Sequence, residues 1–249
     1  MEIVTVGTGS CTPRLERLGP CTLMTFGGLR IAVDLGLGSL HGLLRAGVAP
    51  GALDAVLFTH LHPDHTAELA SFLFSANYGE PSRIRPLLLA GGPGFSVYVA
   101  CLRALHGHWL AARGYALAER EVASGETLAL GHAKCLCGPA LHLPSSLSFR
   151  FEAEGRSAVL SGDTGPCPAL EEFARGADLL LLEASLRDRN GDEPRHLTPE
   201  EAGTLARRAG AARLVLHHLT ASSEGSVALA ARAFGGPTLV AADGQRLNV

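Results

Sequence analysis

Short apolar runs alternate with amphipathic stretches along the chain. Ile3–Val6, Leu23–Phe26 and Leu29–Val33 read as strands separated by glycine-rich turns. Ala55–Thr59 reads as another strand and runs straight into a cluster of histidines. Thr66–Ala76 follows with helical spacing, Leu69, Phe72 and Leu73 sharing one face. Leu87–Leu89 predicts a short strand and Phe95–Ala112 a helix with few breakers. A strand-rich middle is expected over Ala116–Glu121, His132–Leu143, Leu147–Ala153 and Ser157–Ser161, with Glu154-Gly155-Arg156 as a hairpin turn. Strand–helix alternation then returns. Asp178–Glu183 predicts a buried strand. Thr198 is a candidate N-cap, with Pro199 at the first helical position and Glu201 three residues after the cap, for a helix to about Ala209. Arg213–Leu216 reads as a strand, Ser226–Phe234 as a helix and Thr238–Val240 as a last strand. No long linker, charge block or internal repeat interrupts the pattern. Residues 1–249 are expected to form a single domain, with sheets inside and helices outside.

Composition bounds this picture without sharpening it. A chain of 249 residues with 47% hydrophobic and 18% charged residues can build its own core without staples. The net charge of −3 offers no general attraction to nucleic acid or to anionic lipid. Lys134 is the one lysine among the cations, so an anion clamp here would be a guanidinium. The six cysteines are too sparse for a disulfide framework. The first residues lack the basic and apolar regions of a signal peptide, and no apolar run reaches a membrane span, so the cytoplasm is the expected location.

Chemistry concentrates in Phe58-Thr59-His60-Leu61-His62-Pro63-Asp64-His65. Neutral imidazoles and a carboxylate are good ligands for Zn²⁺ and similar ions. In extended backbone His60 and His62 point to the same side and can grip one ion. Pro63 favours a turn that brings Asp64 and His65 round toward a second. The bland alternative is a polar turn at a helix start; three histidines at this spacing argue against it. Gly7-Thr8-Gly9 imitates a dinucleotide fingerprint, but Thr12 stands where the third glycine belongs. No Gly-x-Ser-x-Gly elbow occurs. Cys135 and Cys137 with His132 could mark a structural metal corner, although buried strand cysteines fit the spacing better.

The histidine segment resembles the His-x-His-x-Asp-His signature of the metallo-β-lactamase superfamily. Further matches follow in order: Val6-Gly7-Thr8-Gly9-Ser10, Ile31-Ala32-Val33-Asp34-Leu35-Gly36, His142 with Ser146, Ser161-Gly162-Asp163-Thr164, Leu182-Glu183-Ala184-Ser185, His196-Leu197-Thr198 and Leu216-His217-His218-Leu219. The later motifs resemble those of the ribonuclease Z-like branch. The resemblance implies a four-layer αβ/βα sandwich in the α/β class. It implies one metal held by His60, His62 and His142, a second by Asp64, His65 and His218, and Asp163 bridging both. His217 competes with His218; the His-Leu pair favours His218. Asp64 and His196 are the implied catalytic residues, His196 acting near the scissile group rather than on a metal. Asp34 would organise the loops below.

The expected activity is therefore that of a dinuclear metal-dependent hydrolase. The ions are expected to be zinc first, with manganese or iron as alternatives. A pair of ions about 3.5–4 Å apart lowers the pKa of water to about 7 and neutralises an oxyanion. A small phosphodiester is the leading substrate; carboxylic esters, lactones or sulfate esters could use the same site. A tRNA 3′-processing endoribonuclease is the second alternative, and a non-catalytic metal-binding sensor or scaffold is the reading of a different class. The branch typically carries a tRNA-gripping arm between the third histidine and the bridging aspartate. Here only 21 positions separate His142 from Asp163, and no Lys/Arg-rich stretch tracks a phosphate backbone. A small-molecule partner is therefore expected in place of nucleic acid, with no membrane partner and a homodimer left open. Phe95–Arg120, with Trp109 and Tyr115, is the candidate lid or pocket wall.

Overall fold

The computed structural model describes residues 1–188 and 195–249. Fourteen strands can be named in chain order: β1 Glu2–Gly7, β2 Cys21–Phe26, β3 Leu29–Val33, β4 Ala55–Phe58, β5 Leu87–Gly91, β6 Leu117–Glu121, β7 Thr127–Leu130, β8 Ala133–Pro139, β9 Leu147–Ala153, β10 Arg156–Leu160, β11 Leu179–Glu183, β12 Leu214–His217, β13 Thr238–Val240 and β14 Gln245–Asn248. They form two seven-stranded sheets, in the orders β14-β1-β2-β3-β4-β5-β6 and β13-β12-β11-β10-β9-β8-β7. In the first sheet β3 to β6 run parallel, and in the second β10 to β13 do. The remaining pairs are antiparallel.

Strand alternation explains the layering. Along β1, Ile3 faces the other sheet, while Val4 and Val6 face outward onto helices. The inter-sheet core joins Ile3, Met24, Ile31 and Leu57 with Phe149, Phe151, Leu181 and Val215. Outside the first sheet, Leu23, Val56 and Phe58 pack on Leu43, Phe72, Leu73 and Val99 from helices Ser39–Arg45, Leu69–Tyr78 and Phe95–His106. Outside the second, Leu180, Leu182 and Leu216 pack on Leu170, Leu205, Ala206 and Phe234 from helices Pro168–Phe173, Pro199–Ala209 and Val227–Phe234. Two sheets between two helical layers make the expected αβ/βα sandwich.

Local chemistry matches the expectation at several points. Thr198 and Glu201 form the capping box that opens helix Pro199–Ala209. Glu154 and Gly155 both take positive φ, as a tight hairpin between β9 and β10 requires. Other expectations fail. The strand expected over His132–Leu143 ends at Pro139. The helix expected from Phe95 stops at Gly107, which adopts φ 62, and a short 3₁₀ turn follows. Strands β7 and β14 and helix Pro168–Phe173 were not foreseen. Each is short; β14 pairs with β1 from the far end of the chain, whereas β7 forms a local hairpin with β8. Among the described residues no helix is long and apolar enough to cross a membrane.

Candidate metal centre

Loops at the carboxyl ends of the parallel strands converge on one edge of the sandwich, where open α/β sheets gather ligands. Asp34 follows β3, and His60, His62, Asp64 and His65 follow β4. Asp163 follows β10, and His218 follows β12. His142 arrives from the β8–β9 connection. Pro63 opens the short helix Pro63–Thr66, and that turn separates the two halves of the cluster.

The structure brings together all seven residues expected to ligate. In one group Nδ1 of His62 lies 3.1 Å from Nε2 of His60 and 3.1 Å from Nε2 of His142. Oδ2 of Asp163 lies 3.7 Å from His60 Nε2 and 4.0 Å from His142 Nε2. In the other group Nε2 of His65 lies 3.2 Å from Nε2 of His218. Oδ2 of Asp64 is 3.7 Å from His65 Nε2 and 3.4 Å from His218 Nε2. Oδ1 of Asp163 is 3.4 Å from each of those two nitrogens. One carboxylate therefore presents an oxygen to each group.

Hydrogen bonds behind the rings fix which nitrogen faces inward. Asp34, at φ 63, accepts from the backbone N–H of Thr59 at 2.8 Å, from its hydroxyl at 2.8 Å and from Nδ1 of His65 at 2.8 Å. The Thr59 hydroxyl, its proton given to Asp34, accepts from Nδ1 of His60 at 3.0 Å. Nδ1 of His142 donates to the carbonyl of Arg195 at 3.0 Å. With these Nδ1 atoms protonated, the Nε2 atoms of His60, His65 and His142 face into the cluster, where the neutral ring offers a lone pair. Burial opposes a second proton on His65, yet the carboxylates of Asp163 and Asp34 favour one on that atom, which an ion would displace. Burial and the neighbouring His65 push His60 down to about 2, so it stays neutral. Burial also lowers His142. Burial opposes the charge of Asp163, but His218 and His65 beside it hold its pKa well below the usual carboxylate range, and among the described residues its buried Oδ1 has no hydrogen bond of good geometry. Lone pairs aimed at one another around an unsatisfied carboxylate oxygen are the donor set of a divalent cation pair.

His217 and His218 diverge because the backbone turns between them. Strand β12 ends at His217, and His218 turns into the left-handed region at φ 53, which swings its ring to the cluster. His217 is buried outside both ligand groups, and among the described residues its Nε2 has no hydrogen-bond partner.

His196 stands beside the first group without joining it. Its ring centroid is 4.8 Å from that of His142, and its Nδ1 is 3.9 Å from Asp163 Oδ2. Nδ1 donates to Oε1 of Glu183 at 2.6 Å. Glu183 is fully buried and ends β11; it also accepts from the Thr164 N–H and from the Ser185 N–H and hydroxyl. Burial opposes protonation of His196, but Glu183 and then Asp163 raise its pKa, while the ring remains 30% exposed. The sequence reading gave Glu183 no role. Its signal was an acidic residue closing an all-leucine strand, since a buried carboxylate needs partners.

Two other expectations receive different places. Cys135 and Cys137 are buried in the inter-sheet core, His132 is exposed, and among the described residues these three form no ligand group. The segment 95–120 does not wall the cluster with Trp109. That ring lines a pocket on the outer flank with Ala70, Phe74, His106 and Leu110.

Comparison with known proteins follows the same lines. The family model described as a β-lactamase superfamily domain matches residues 30–219. A protein named ribonuclease Z from Mycobacterium marinum is 34% identical over 281 aligned positions, covering 100% of this chain and 99% of its own. The chain belongs to the metallo-β-lactamase superfamily, and within it to the ribonuclease Z-like branch. It is accordingly a metal-dependent hydrolase. Among solved structures, the metallo-β-lactamase fold protein YhfI from Bacillus subtilis superposes with a TM-score of 0.86 at 22% identity, over 99% of this chain and 98% of that one. The short form of human tRNase Z superposes with a TM-score of 0.78 at 21% identity, over 100% and 99%.

These relatives overturn the expectation of a small molecule in place of nucleic acid. The chain aligns from end to end with a protein named as a ribonuclease. The physical error was to read net charge and the lack of a basic run as measures of local affinity. Both are sums along the sequence, whereas phosphate recognition is set by where individual cations and metal ions sit in space.

Proposed function

We propose that the chain, acting as one domain over residues 1–249, is a dinuclear metal-dependent phosphodiesterase that cleaves RNA, as the ribonuclease Z relatives' name indicates for them. The observation that carries the reading is the division of the cluster into two ligand groups, one on each oxygen of Asp163. His60, His62 and His142 would hold one ion, Asp64, His65 and His218 the other, with Asp163 between them. Nitrogen and oxygen donors in this mixture suit zinc, with manganese or iron as alternatives. When bound, a pair of such ions supplies an acidified water and positive charge against a phosphodiester.

The protein's own groups do the rest. Asp34 and Thr59 hold the His60 and His65 rings in one tautomer and orientation. Glu183 holds His196 through Nδ1, and its charge keeps the ring protonated as the pH rises. A protonated His196 beside the cluster is placed to give a proton to the departing oxygen of the cleaved strand. That role requires an acid within reach of the leaving group and on no metal.

The test compares wild type with Asp163→Asn on an RNA carrying an unpaired 3′ extension. Wild type loaded with Zn²⁺ or Mn²⁺ is expected to cleave it. The variant is expected to lose most activity together with one or both ions. Full activity in Asp163→Asn would refute the shared carboxylate.

A further inference from the structure

A pocket with exposed aromatic rings lies on the outer flank of the first sheet. Helix Leu69–Tyr78 starts four residues after His65 and presents Phe74 to solvent, 46% exposed. Trp109, 48% exposed, stands across from it at 6.1 Å between ring centroids, and Tyr78 is 5.0 Å from Phe74 and 5.3 Å from Trp109. Phe74 and Trp109 line a pocket of about 370 Å³ together with Ala70, Ser71, His106 and Leu110, and Tyr78 packs against both rings from outside that lining. None of these lining residues is acidic.

The platform is rigid by construction. The buried Asn77 amide donates to the carbonyls of Trp109 and Ala111, each at 2.9 Å, and accepts from the Arg113 N–H at 3.1 Å. One side chain thus staples the loop to the helix. One guanidinium lies beside the aromatic cluster. Arg113 stacks over the Tyr78 ring at 5.3 Å and donates to its hydroxyl at 2.8 Å, and the His108 ring lies 4.4 Å from that of Trp109. A pre-ordered aromatic pocket with a guanidinium beside it and no carboxylate in its lining complements a flat ring attached to a phosphate chain. The 281 positions aligned with the ribonuclease Z relative exceed the 249 residues of this chain, so that protein has roughly 30 residues with no counterpart here. RNA held at the metal cluster must then be gripped by surfaces that this chain does possess.

We propose that this pocket binds an unpaired nucleobase of the RNA substrate, stacked on the exposed faces of Phe74 and Trp109 with its phosphate toward Arg113. The inference rests on the RNA-cleaving reading of the metal centre. Trp109 is the one tryptophan in the chain, so its emission reports the pocket directly.

The experiment titrates the metal-stripped protein with unstructured single-stranded RNA while following Trp109 emission. In parallel, binding of labelled RNA to Phe74→Ala and Trp109→Ala is measured by anisotropy, and each loaded variant is assayed on bis(p-nitrophenyl) phosphate. RNA is expected to quench Trp109 saturably. Each variant is expected to bind RNA about tenfold more weakly, the scale of one lost stacking partner, with turnover of the small diester unchanged. Cleavage of RNA by the loaded protein with unmoved emission and undiminished binding by Phe74→Ala would overturn the pocket and leave the proposed function standing. Absence of both RNA cleavage and quenching would overturn the two together. An emission shift that depends on protein concentration without RNA, with sedimentation at twice the mass, would show an interface between copies and overturn the pocket.

Discussion

His196 carries the sharpest residue-level expectation. Its proton is held by Glu183, and it touches the cluster's edge without entering either ligand group. His196→Ala should therefore lower kcat by about 10²–10⁴-fold while leaving metal content at the wild-type level. Loss of metal by that variant would make His196 a ligand. Glu183→Gln should lose part of the same activity and also move the acidic-to-basic fall of the pH profile toward lower pH. The sign follows from the charge, because removing the carboxylate removes what raises the imidazole pKa. The adjacent pair at the end of β12 gives a second contrast. His218→Ala should lose an ion from the second group, whereas His217→Ala should keep both. The reverse result, read by elemental analysis, would reassign the ligand.

At the scale of elements, the loop after β10 shows how backbone shape serves the site. Gly162 has φ 58, and a Cβ there would sit 2.6 Å from Cβ of Thr59, the residue that ties Asp34 to His60. Gly162→Ala should cost more than about 1 kcal/mol in stability and should weaken metal retention, since strain and clash fall together. Unchanged metal content and melting temperature would show that the loop is soft. Strand β8 supports a chemical test. Burial pushes Cys137 up to about 11 and raises Cys135 well above the usual thiol range. Cys11 and Cys101 are exposed. An aromatic disulfide reagent near neutral pH should titrate these two thiols quickly in the native protein and all six after unfolding. Rapid labelling of Cys135 or Cys137 would mean that β8 opens locally.

The elements also explain what could be read in the chain and what could not. The cluster from His60 to His65 is contiguous, so its chemistry and its turn at Pro63 were visible directly. His142, Asp163 and His218 entered through a series of family motifs, because nothing in a lone histidine or a Gly-Asp-Thr turn marks it as a ligand. The choice of His218 rested on its His-Leu pairing, while the φ of 53 that delivers it depends on the folded loop. Glu183 was hidden because its meaning comes from His196, thirteen residues away and joined to it only in space. Trp109 could be read only as part of a broad candidate wall over 95–120, because helical spacing over 95–112 says nothing about where the helix stops.

At the scale of the molecule, two sheets share one core, and the carboxyl ends of their parallel strands meet on one edge. The ligands come from both sheets: His60, His62, Asp64 and His65 from one side, Asp163 and His218 from the other. A pair of ions held across that edge would tie the sheets together, so chelation should lower the melting temperature and added metal restore it. Identical melting with and without metal would place the ions outside the load-carrying structure. The central claim, a two-ion centre that hydrolyses RNA, is tested most directly by titrating the metal-stripped chain with Zn²⁺ while following cleavage of an RNA with an unpaired 3′ extension. The account predicts no cleavage without metal and activity that rises until two ions are bound per chain. Saturation at one ion, or RNA left intact at full loading, would contradict it.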